Sequence, residues 1–437
     1  MTLKNLANKK IALLGLGVEN YALLKFLLAK KVVCQVVIYE KKQKEEIKQY
    51  LELSKFKNVS WSLGEYYAKD LSGFNIIFRS PGSSIRKDKQ VKLGRAVLTT
   101  AMNLFFDLSP TKNIIGVTGT KGKGTTSSLI YEILKAGKKK VWLGGNIGVA
   151  PFAFITKIKP SDWVVLELSS FQLEDLAKSP KIAVMTNFTK EHLAPADPNN
   201  PNYHKNLKEY WESKFNIAKF QKKGDFFIVN EKIESKFKAD KFKARLISFG
   251  KSDFPSSLPG EHNKENIAAA VVVAQLVKIA PEVVLKAVKN FKGLEHRIEL
   301  VRELNGVKYY DDSFATTPES AVIALKSFSK PIILLAGGAD KGADFKNFAK
   351  EIAKRVKFIC LLKGLATPRL KQSLIKAGFG KSQIKEFADF NEAIKTAKSV
   401  AKAGDIVLLS TACASFGMFT SYKQRGDLFK QAVKQLK

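Results

Sequence analysis

Short apolar runs alternate along the chain with segments whose apolar residues recur every three or four positions, a pattern typical of α/β proteins. The runs predict strands at residues 11–14, 33–39, 75–78, 114–117, 140–143, 163–168, 182–187, 226–229, 307–310, 332–335, 358–362 and 406–409. The longer spacing predicts helices at residues 20–30, 264–279, 319–326, 345–355, 368–377 and 391–402. Residues 94–110 are interpreted as a connector. The sequence therefore predicts several parallel sheets.

A glycine-rich segment after the strand that contains Val117 carries the clearest chemical signal. Gly119, Gly122 and Gly124 surround Lys123, and a helical pattern follows. Backbone N–H groups at the start of a helix bind phosphate, and a lysine among them reaches the terminal phosphates. The usual phosphate loop would have glycine at Val117 and a hydroxyl at Gly124. A glycine turn with a solvated lysine is the alternative, but a nucleoside triphosphate site is favoured.

Three polar groups in the same region are candidates for metal or nucleotide binding. Glu167 ends a predicted strand, where a carboxylate can hold magnesium, although it could equally be solvated. His192 lies beyond the next strand and is either a second metal ligand or a structural histidine. Asn263 and Asn266 share a helix face, so they either face a nucleotide or cap the helix. A loop at residues 189–206 is longer than a connection requires.

The flanking regions carry weaker signals at the carboxyl ends of their strands. Gly15 and Gly17 form a glycine turn that lacks a third glycine, so a diphosphate turn and a structural turn are about equally consistent with it. Polar segments at residues 80–82, 311–317, 337–342 and 410–417 also follow strands. The sequence predicts a Rossmann-like domain at 1–94, a central P-loop-type ATP-binding domain at 95–293 and a C-terminal Rossmann-like domain at 294–437.

The composition limits the class of protein. A hydrophobic content of 45% fits a globular chain, and no apolar run reaches the ~20 residues of a membrane span. Cys34, Cys360 and Cys413 are far apart and, with no signal peptide expected, indicate reduced thiols in a cytoplasmic protein. The net charge of +34 comes from lysine spread along the chain. A solvated lysine-rich surface is favoured over specific nucleic-acid binding, although a basic nucleic-acid-binding protein with a degenerate loop stays an alternative.

Six motifs in a fixed order resemble those of a known family. They are Gly-Thr-Lys-Gly-Lys at 119–123, Glu-Leu-Ser-Ser-Phe-Gln-Leu-Glu at 167–174, His-Asn-Lys-Glu-Asn at 262–266, Gly-Leu-Glu-His-Arg at 293–297, Asp-Asp-Ser-Phe-Ala-Thr at 311–316 and Ala-Cys-Ala-Ser-Phe at 412–416. Together they resemble the Mur ligases over the whole length of the chain.

The resemblance implies a step of cytoplasmic peptidoglycan precursor synthesis. It implies an ATP-dependent ligase that uses Mg²⁺ and joins D-glutamate to UDP-N-acetylmuramoyl-L-alanine through an acyl phosphate. From the composition and the apolar run lengths we expect no specific nucleic-acid partner and no membrane insertion, and we expect a monomer. Folylpolyglutamate synthases are relatives of this family and provide the enzymatic alternative.

The resemblance also assigns roles to individual residues. Those implied for catalysis or magnesium are Lys123, Thr125, Glu167, His192 and Lys214, the last as a carbamylated lysine. Those implied for ATP are Gly119, Thr120, Lys121, Gly122, Lys123, Gly124, Thr125, Thr126, Asn266, Arg297 and Asp312. Those implied for the sugar nucleotide or the amino acid are Gly17, Val18, Lys41, Ser80, Asn146, Ser169, Thr316, Lys341, Ser415 and Tyr422.

The chain departs from the family pattern at three positions. Gly124 stands where a hydroxyl is usual, so Thr125 is expected to supply it. Phe314 replaces a lysine, and Tyr422 stands where phenylalanine is common.

Overall fold

The computed structural model describes residues 1–64, 70–83, 91–193, 203–237 and 243–437. Part of the long loop at 189–206 lies outside these residues, as does part of a lysine-rich segment at 236–243. The chain divides into a first unit, residues 1–252 and 265–287, and a second unit, residues 253–264 and 288–437. No helix in the described ranges is long and apolar enough to cross a membrane.

The first sheet of the first unit is parallel, with strand order β3-β2-β1-β4-β5. Its elements are α1 (Leu3–Leu6), β1 (Lys10–Leu14), α2 (Val18–Ala29), β2 (Gln35–Glu40), α3 (Tyr50–Leu53), β3 (Val59–Leu63), β4 (Ile76–Arg79), β5 (Val97–Thr99) and α4 (Ala101–Leu108). The strand order reverses direction between β1 and β4, and ligands of open α/β sheets bind at such a point. Gly17 and Ser80 follow these two strands.

The second sheet of the first unit is also parallel, with order β11-β10-β9-β6-β8-β7. Its elements are β6 (Ile114–Thr118), α5 (Lys123–Ala136), β7 (Val141–Gly145), β8 (Trp163–Glu167), α6 (Ser170–Leu173), β9 (Ile182–Met185), α7 (Leu207–Lys219), β10 (Phe226–Asn230), α8 (Glu231–Glu234) and β11 (Arg245–Phe249). The helices α9 (Glu261–Leu276) and α10 (Pro281–Asn290) follow. Every residue of β6 is buried, which confirms the strand predicted before the glycine segment.

The sheet of the second unit has the order β12-β13-β17-β14-β15-β16. Only its β12–β13 pair is antiparallel among the described strands. The elements are β12 (Glu299–Leu304), β13 (Val307–Asp311), α11 (Pro318–Lys326), β14 (Ile332–Ala336), α12 (Lys346–Arg355), β15 (Val356–Leu362), α13 (Thr367–Lys376), β16 (Ile384–Phe387), α14 (Phe390–Val400), β17 (Ile406–Leu409) and α15 (Tyr422–Gln435). The predicted α/β fold class is confirmed.

The interpretation of residues 94–110 as a connector is wrong. This segment contains β5, which pairs with β4 and extends the first sheet beyond residue 94, and the buried helix α4. Met102, Leu104 and Phe105 of α4 are buried in the core. Their spacing is helical, but Thr100 interrupts the local pattern by ending the strand and capping the helix through its side chain.

Candidate active site

The glycine segment joins β6 directly to α5, so the amino end of this helix lies at the carboxyl edge of the second sheet. Gly122 has φ +81°, and a Cβ atom there would lie 2.2 Å from Oδ1 of Asn266 on α9. Glycine is required at this position because both its conformation and the nearby amide exclude a side chain. Asn266 also accepts a hydrogen bond from the hydroxyl of Thr126 at 3.3 Å. The predicted ATP residues of this segment and Asn266 are therefore brought together.

Lys123 lies over its own loop. Its Nζ donates to the carbonyl oxygens of Gly119 and Thr120, each at 3.0 Å. The end of β9 holds the other side of the loop, since Asn187 accepts from the backbone N–H of Lys121 at 2.9 Å. This contact was not predicted, because it joins residues 66 positions apart in the sequence.

Lys214 of α7 reaches the same loop from within the protein. Its side chain is only 1% exposed, and its Nζ donates to the carbonyl oxygen of Gly119 at 2.7 Å. Burial, together with the nearby Lys123 ammonium, holds the pKa of Lys214 well below its ordinary value of 10.5. The ring of Tyr210 lies 4.8 Å from this Nζ, and its hydroxyl lies 3.2 Å from that of Thr120. Tyr210 was not predicted, although it precedes Lys214 by one helical turn.

The acidic side of the site is formed by Glu167 at the end of β8. Glu167 is 3% exposed, and its carboxylate accepts a hydrogen bond from the amide of Asn146 at 2.7 Å. His192 has φ +56°, and its Nε2 lies 3.8 Å from the carboxylate of Glu191. Burial lowers the pKa of His192 and favours the neutral ring, the form that binds metals. The fields of Glu167 and Glu191 both act on Lys214, so these groups surround one region.

The two threonines at the start of α5 differ in their surroundings. Thr126 is fully buried and bonded to Asn266, whereas Thr125 is half-buried, with no hydrogen bond to another described side chain. Among the predicted ligands, the carboxylate of Glu167 and the hydroxyl of Thr125 are the oxygen donors that magnesium and manganese prefer, and the neutral imidazole of His192 is a nitrogen donor. Lys214 fits poorly as an amine, because its protonated form has no lone pair and its neutral form is a nitrogen donor, whereas magnesium prefers oxygen ligands.

Four of the predicted sugar-nucleotide residues follow strands of the first sheet, with Gly17 and Ser80 at its switch point. A Cβ atom on Gly17 would lie 3.0 Å from the hydroxyl of Ser80, so the two turns are in contact. Val18 opens α2 and is 74% exposed, and Lys41 is exposed directly after β2. Ser169 follows β8 of the second sheet, where it caps α6 and its side chain accepts a hydrogen bond from the backbone N–H of residue 172.

The remaining predicted residues lie at the carboxyl edge of the sheet in the second unit. Asp312 accepts from Ser410 at 2.7 Å, and burial raises its pKa to about 8. The guanidinium of Arg297 lies 3.7 Å from the ring centre of Phe314, which makes an edge contact with Tyr422. Thr316 is half-buried, Lys341 is exposed and Ser415 is buried. The segments that carry Lys341 and Ser415 are joined by a backbone hydrogen bond between residues 339 and 414.

A buried histidine that was not predicted as a site residue supports this edge. His296 has φ +61°, and its Nδ1 lies 2.7 Å from the carboxylate of Asp311. The Asp311 carboxylate raises the pKa of His296. Because His296 and Asp311 immediately precede Arg297 and Asp312, this contact fixes the spacing of two predicted nucleotide residues.

Comparison with known proteins identifies the family in which these motifs occur. Models of the Mur ligase middle domain and of the Mur ligase glutamate ligase domain match residues 117–255 and 296–413. The UDP-N-acetylmuramoylalanine–D-glutamate ligase of Acetivibrio thermocellus is 36% identical, over 99% of this chain and 98% of that protein. The enzyme of the same name from Clostridium kluyveri is 37% identical, over 98% of this chain and 97% of that protein.

The chain belongs to the Mur ligase family. It is therefore a ligase, and the resemblance carried by its six motifs is confirmed. Solved Mur ligases share its fold. The MurF ligase of Thermotoga maritima in complex with ADP matches with a TM-score of 0.59 at 16% identity, covering 99% of this chain and 97% of that one. The UDP-N-acetylmuramate–alanine ligase of the same organism matches with a TM-score of 0.58 at 16% identity, covering 98% and 100%. A folylpolyglutamate synthase/dihydrofolate synthase of Yersinia pestis covers only 77% of this chain.

Proposed function

We propose that this Mur ligase joins D-glutamate to UDP-N-acetylmuramoyl-L-alanine at the expense of ATP, in cytoplasmic peptidoglycan precursor synthesis. The observation that carries the proposal is the similarity to D-glutamate ligases over nearly the whole chain. The division into sugar-nucleotide, ATP and amino-acid domains at 1–94, 95–293 and 294–437 is part of the proposal, with the first sheet extending to β5. We also propose that the enzyme is monomeric and cytoplasmic.

The proposed reaction has two steps. The substrate carboxylate attacks the γ-phosphorus of ATP, the bond to ADP breaks and an acyl phosphate forms. The amine of D-glutamate then attacks the acyl carbon, phosphate leaves and the amine loses a proton. Both steps redistribute charge on phosphate oxygens, which positive groups stabilise. Lys123 and the backbone N–H groups of residues 123–125 are suited to this, because they lie in the first turn of α5, at the positive end of its dipole.

Magnesium would be held by Glu167, His192 and Thr125, and when bound it supplies positive charge to the phosphate oxygens. Lys214 would join them only as a carbamate. Its neutral amine would attack CO₂, lose a proton and become an anionic oxygen donor. The buried position and the low pKa of Lys214 support this reaction, because only the uncharged amine is nucleophilic.

The other assignments follow from position in the fold. Asn266, Arg297 and Asp312 would contact the nucleotide. Thr316, Lys341, Ser415 and Tyr422 would receive D-glutamate, and Gly17, Val18, Lys41 and Ser80 the uridine diphosphate. Asn146 and Ser169 would contact the sugar-nucleotide substrate. The side-chain amide of Asn146 is held by its hydrogen bond to Glu167.

A substrate panel tests the proposal. Phosphate release by the purified protein with ATP and Mg²⁺ is expected only when UDP-N-acetylmuramoyl-L-alanine and D-glutamate are both present. L-glutamate in place of D-glutamate serves as the stereochemical control. Equal turnover with L-glutamate and a folate would replace this assignment with the folylpolyglutamate alternative.

A further inference from the structure

Arg79 is buried within the first unit, where the first sheet meets α6, the helix that follows β8 of the second sheet. It ends β4, and its side chain is only 3% exposed. Its Nη1 donates to the carbonyl oxygen of Ser83 at 2.9 Å, which fixes the turn that contains Ser80. Its Nη2 donates to the carbonyl oxygen of Phe171 at 3.0 Å, and its Nε donates to the carboxylate of Asp175. One guanidinium therefore holds both a turn of the first sheet and the helix after Glu167.

A second polar connection runs beside it. Glu19, in the first turn of α2, accepts a hydrogen bond from Nε2 of Gln172. The Oε1 of Gln172 in turn accepts from the backbone N–H of Ser169 at 2.8 Å. The glycine turn before α2 is thus connected through one amide side chain to the start of α6. The second carboxylate oxygen of Glu19 is buried and has no hydrogen-bond partner among the described residues.

These two connections join two parts of unit 1, the sugar-nucleotide edge and the phosphate-loop edge. The proposed reaction requires a fixed distance between them. Gly17 and Ser80 stand at the proposed diphosphate end of the sugar nucleotide. Glu167 and Ser169 stand beside the proposed phosphate loop, because β8 pairs with β6. A substrate bound at the first edge can place its carboxylate against ATP only if the spacing between the edges is correct.

We propose that Arg79, supported by Glu19 and Gln172, is a positioning residue that fixes the spacing between the sugar-nucleotide edge and the phosphate-loop edge. This role rests on the proposed function. Arginine suits it because its planar fork donates to several acceptors at once, whereas lysine is a single point of charge on a flexible stem. Arg79→Lys keeps the charge beside Asp175 but cannot bond Ser83, Phe171 and Asp175 together.

The test separates binding at each edge from turnover across the two. For Arg79→Lys we expect kcat for phosphate release to fall about 10- to 100-fold, the effect of displacing a reacting group by about 1 Å. Binding of UDP alone and of ADP with Mg²⁺ alone, measured by calorimetry, is expected to stay within about twofold of the original protein. Arg355→Lys is the matched control, since Arg355 pairs with Glu351 on α12 in the other unit. Its kcat is expected to be unchanged.

A second variant avoids leaving a buried charge without its partner. Glu19→Leu removes the connection to Gln172 but leaves Arg79 intact, and the expected result is again a lower kcat with unchanged UDP and ADP binding. A kcat within twofold of the original protein in both variants would overturn the proposal. So would loss of UDP affinity in parallel with kcat, because Arg79 would then belong to the nucleotide site itself. If the unmodified protein releases no phosphate with its substrates, the proposed function fails before any variant is compared.

Discussion

The side-chain amine of Lys214 donates a hydrogen bond to the carbonyl oxygen of Gly119 across 2.7 Å. This contact places a buried amine under the loop that also carries Lys123. Two ammonium groups so close repel each other, and burial penalises the charged form further. The site therefore holds an uncharged amine beside the proposed phosphate position. This lowers the stability of the folded protein at any pH where the same amine is protonated in the unfolded chain.

We predict that Lys214→Met has a higher free energy of unfolding than the original protein near pH 7 but has no ligase activity. Because the pKa of Lys214 is lower in the folded protein than in the unfolded chain, the unfolded chain binds more protons, and stability falls as pH decreases from 10.5 toward the folded pKa. Each pKa unit is worth about 1.4 kcal/mol. Denaturant unfolding at pH 7 and 10 in bicarbonate-free buffer measures the effect. Lys219→Met, at an exposed position of the same helix, is the control, and equal pH dependence in both variants would contradict the prediction.

Gly122→Ala is expected to weaken ADP binding at least about tenfold. The new Cβ would lie 2.2 Å from Oδ1 of Asn266, so this side chain must move away from the loop. Gly224→Ala is a matched control, because Gly224 has φ +94° but a Cβ atom there would have no neighbour within 4 Å. Both variants carry a backbone strain of about 1 kcal/mol. Calorimetric binding of ADP should separate them, and equal affinities would show that the position of Asn266 does not matter.

Asp312→Asn is expected to remove a pH dependence of stability. Burial raises the pKa of Asp312 to about 8 from 3.8. A carboxyl group with a raised folded pKa contributes stability that is fully present below pH 3.8 and is lost as the pH rises through about 8. The variant should therefore be more stable than the original protein at pH 9, by at least ~1 kcal/mol, and little changed at pH 4.

Unfolding by urea at these two pH values checks the Asp312 prediction. Glu319→Gln, which changes an exposed carboxylate in the first turn of α11, is the control. A stability difference for Asp312→Asn that is the same at both pH values would argue against a raised pKa.

The hydroxyls of Thr125 and Thr126 should have separable roles. Thr125→Val is expected to raise the Mg²⁺ concentration needed for half-maximal turnover about tenfold, because a metal ligand is lost. Thr126→Val removes the hydrogen bond to Asn266 and is expected to cost about 1 kcal/mol of stability without changing the Mg²⁺ requirement. A magnesium titration of phosphate release distinguishes the two. If the Mg²⁺ requirement of Thr125→Val is unchanged, Thr125 does not supply the hydroxyl that is missing at Gly124.

Local patterns predicted the central strands of each sheet and the edge strand β7, but not the other edge strands. Strands such as β6 and β14 are buried on both faces and read as continuous apolar runs. The edge strands β3, β11, β12 and β16 are largely half-exposed, so their mixed composition gave no signal. The glycine segment was found because its helix start and phosphate chemistry are local.

The contacts that complete the site are long-range, and a single sequence does not contain them. Tyr210 meets Thr120 across 90 positions, and Arg79 meets Asp175 across 96. The resemblance to the Mur ligases supplied Lys214, since nothing in a lysine-rich chain distinguishes it. Its burial and its contact with Gly119 became visible only in the folded protein.

The contact between the Arg297 guanidinium and the Phe314 ring should depend less on salt concentration than an exposed ion pair does. Mobile ions weaken an exposed pair of opposite charges, whereas a guanidinium 3.7 Å from the ring centre of Phe314 also gains from dispersion and from loss of hydration water. Phe314 therefore orients the Arg297 guanidinium without adding a charge of its own. In a chain of net charge +34, an uncharged partner adds no local repulsion where anionic substrates are proposed to bind.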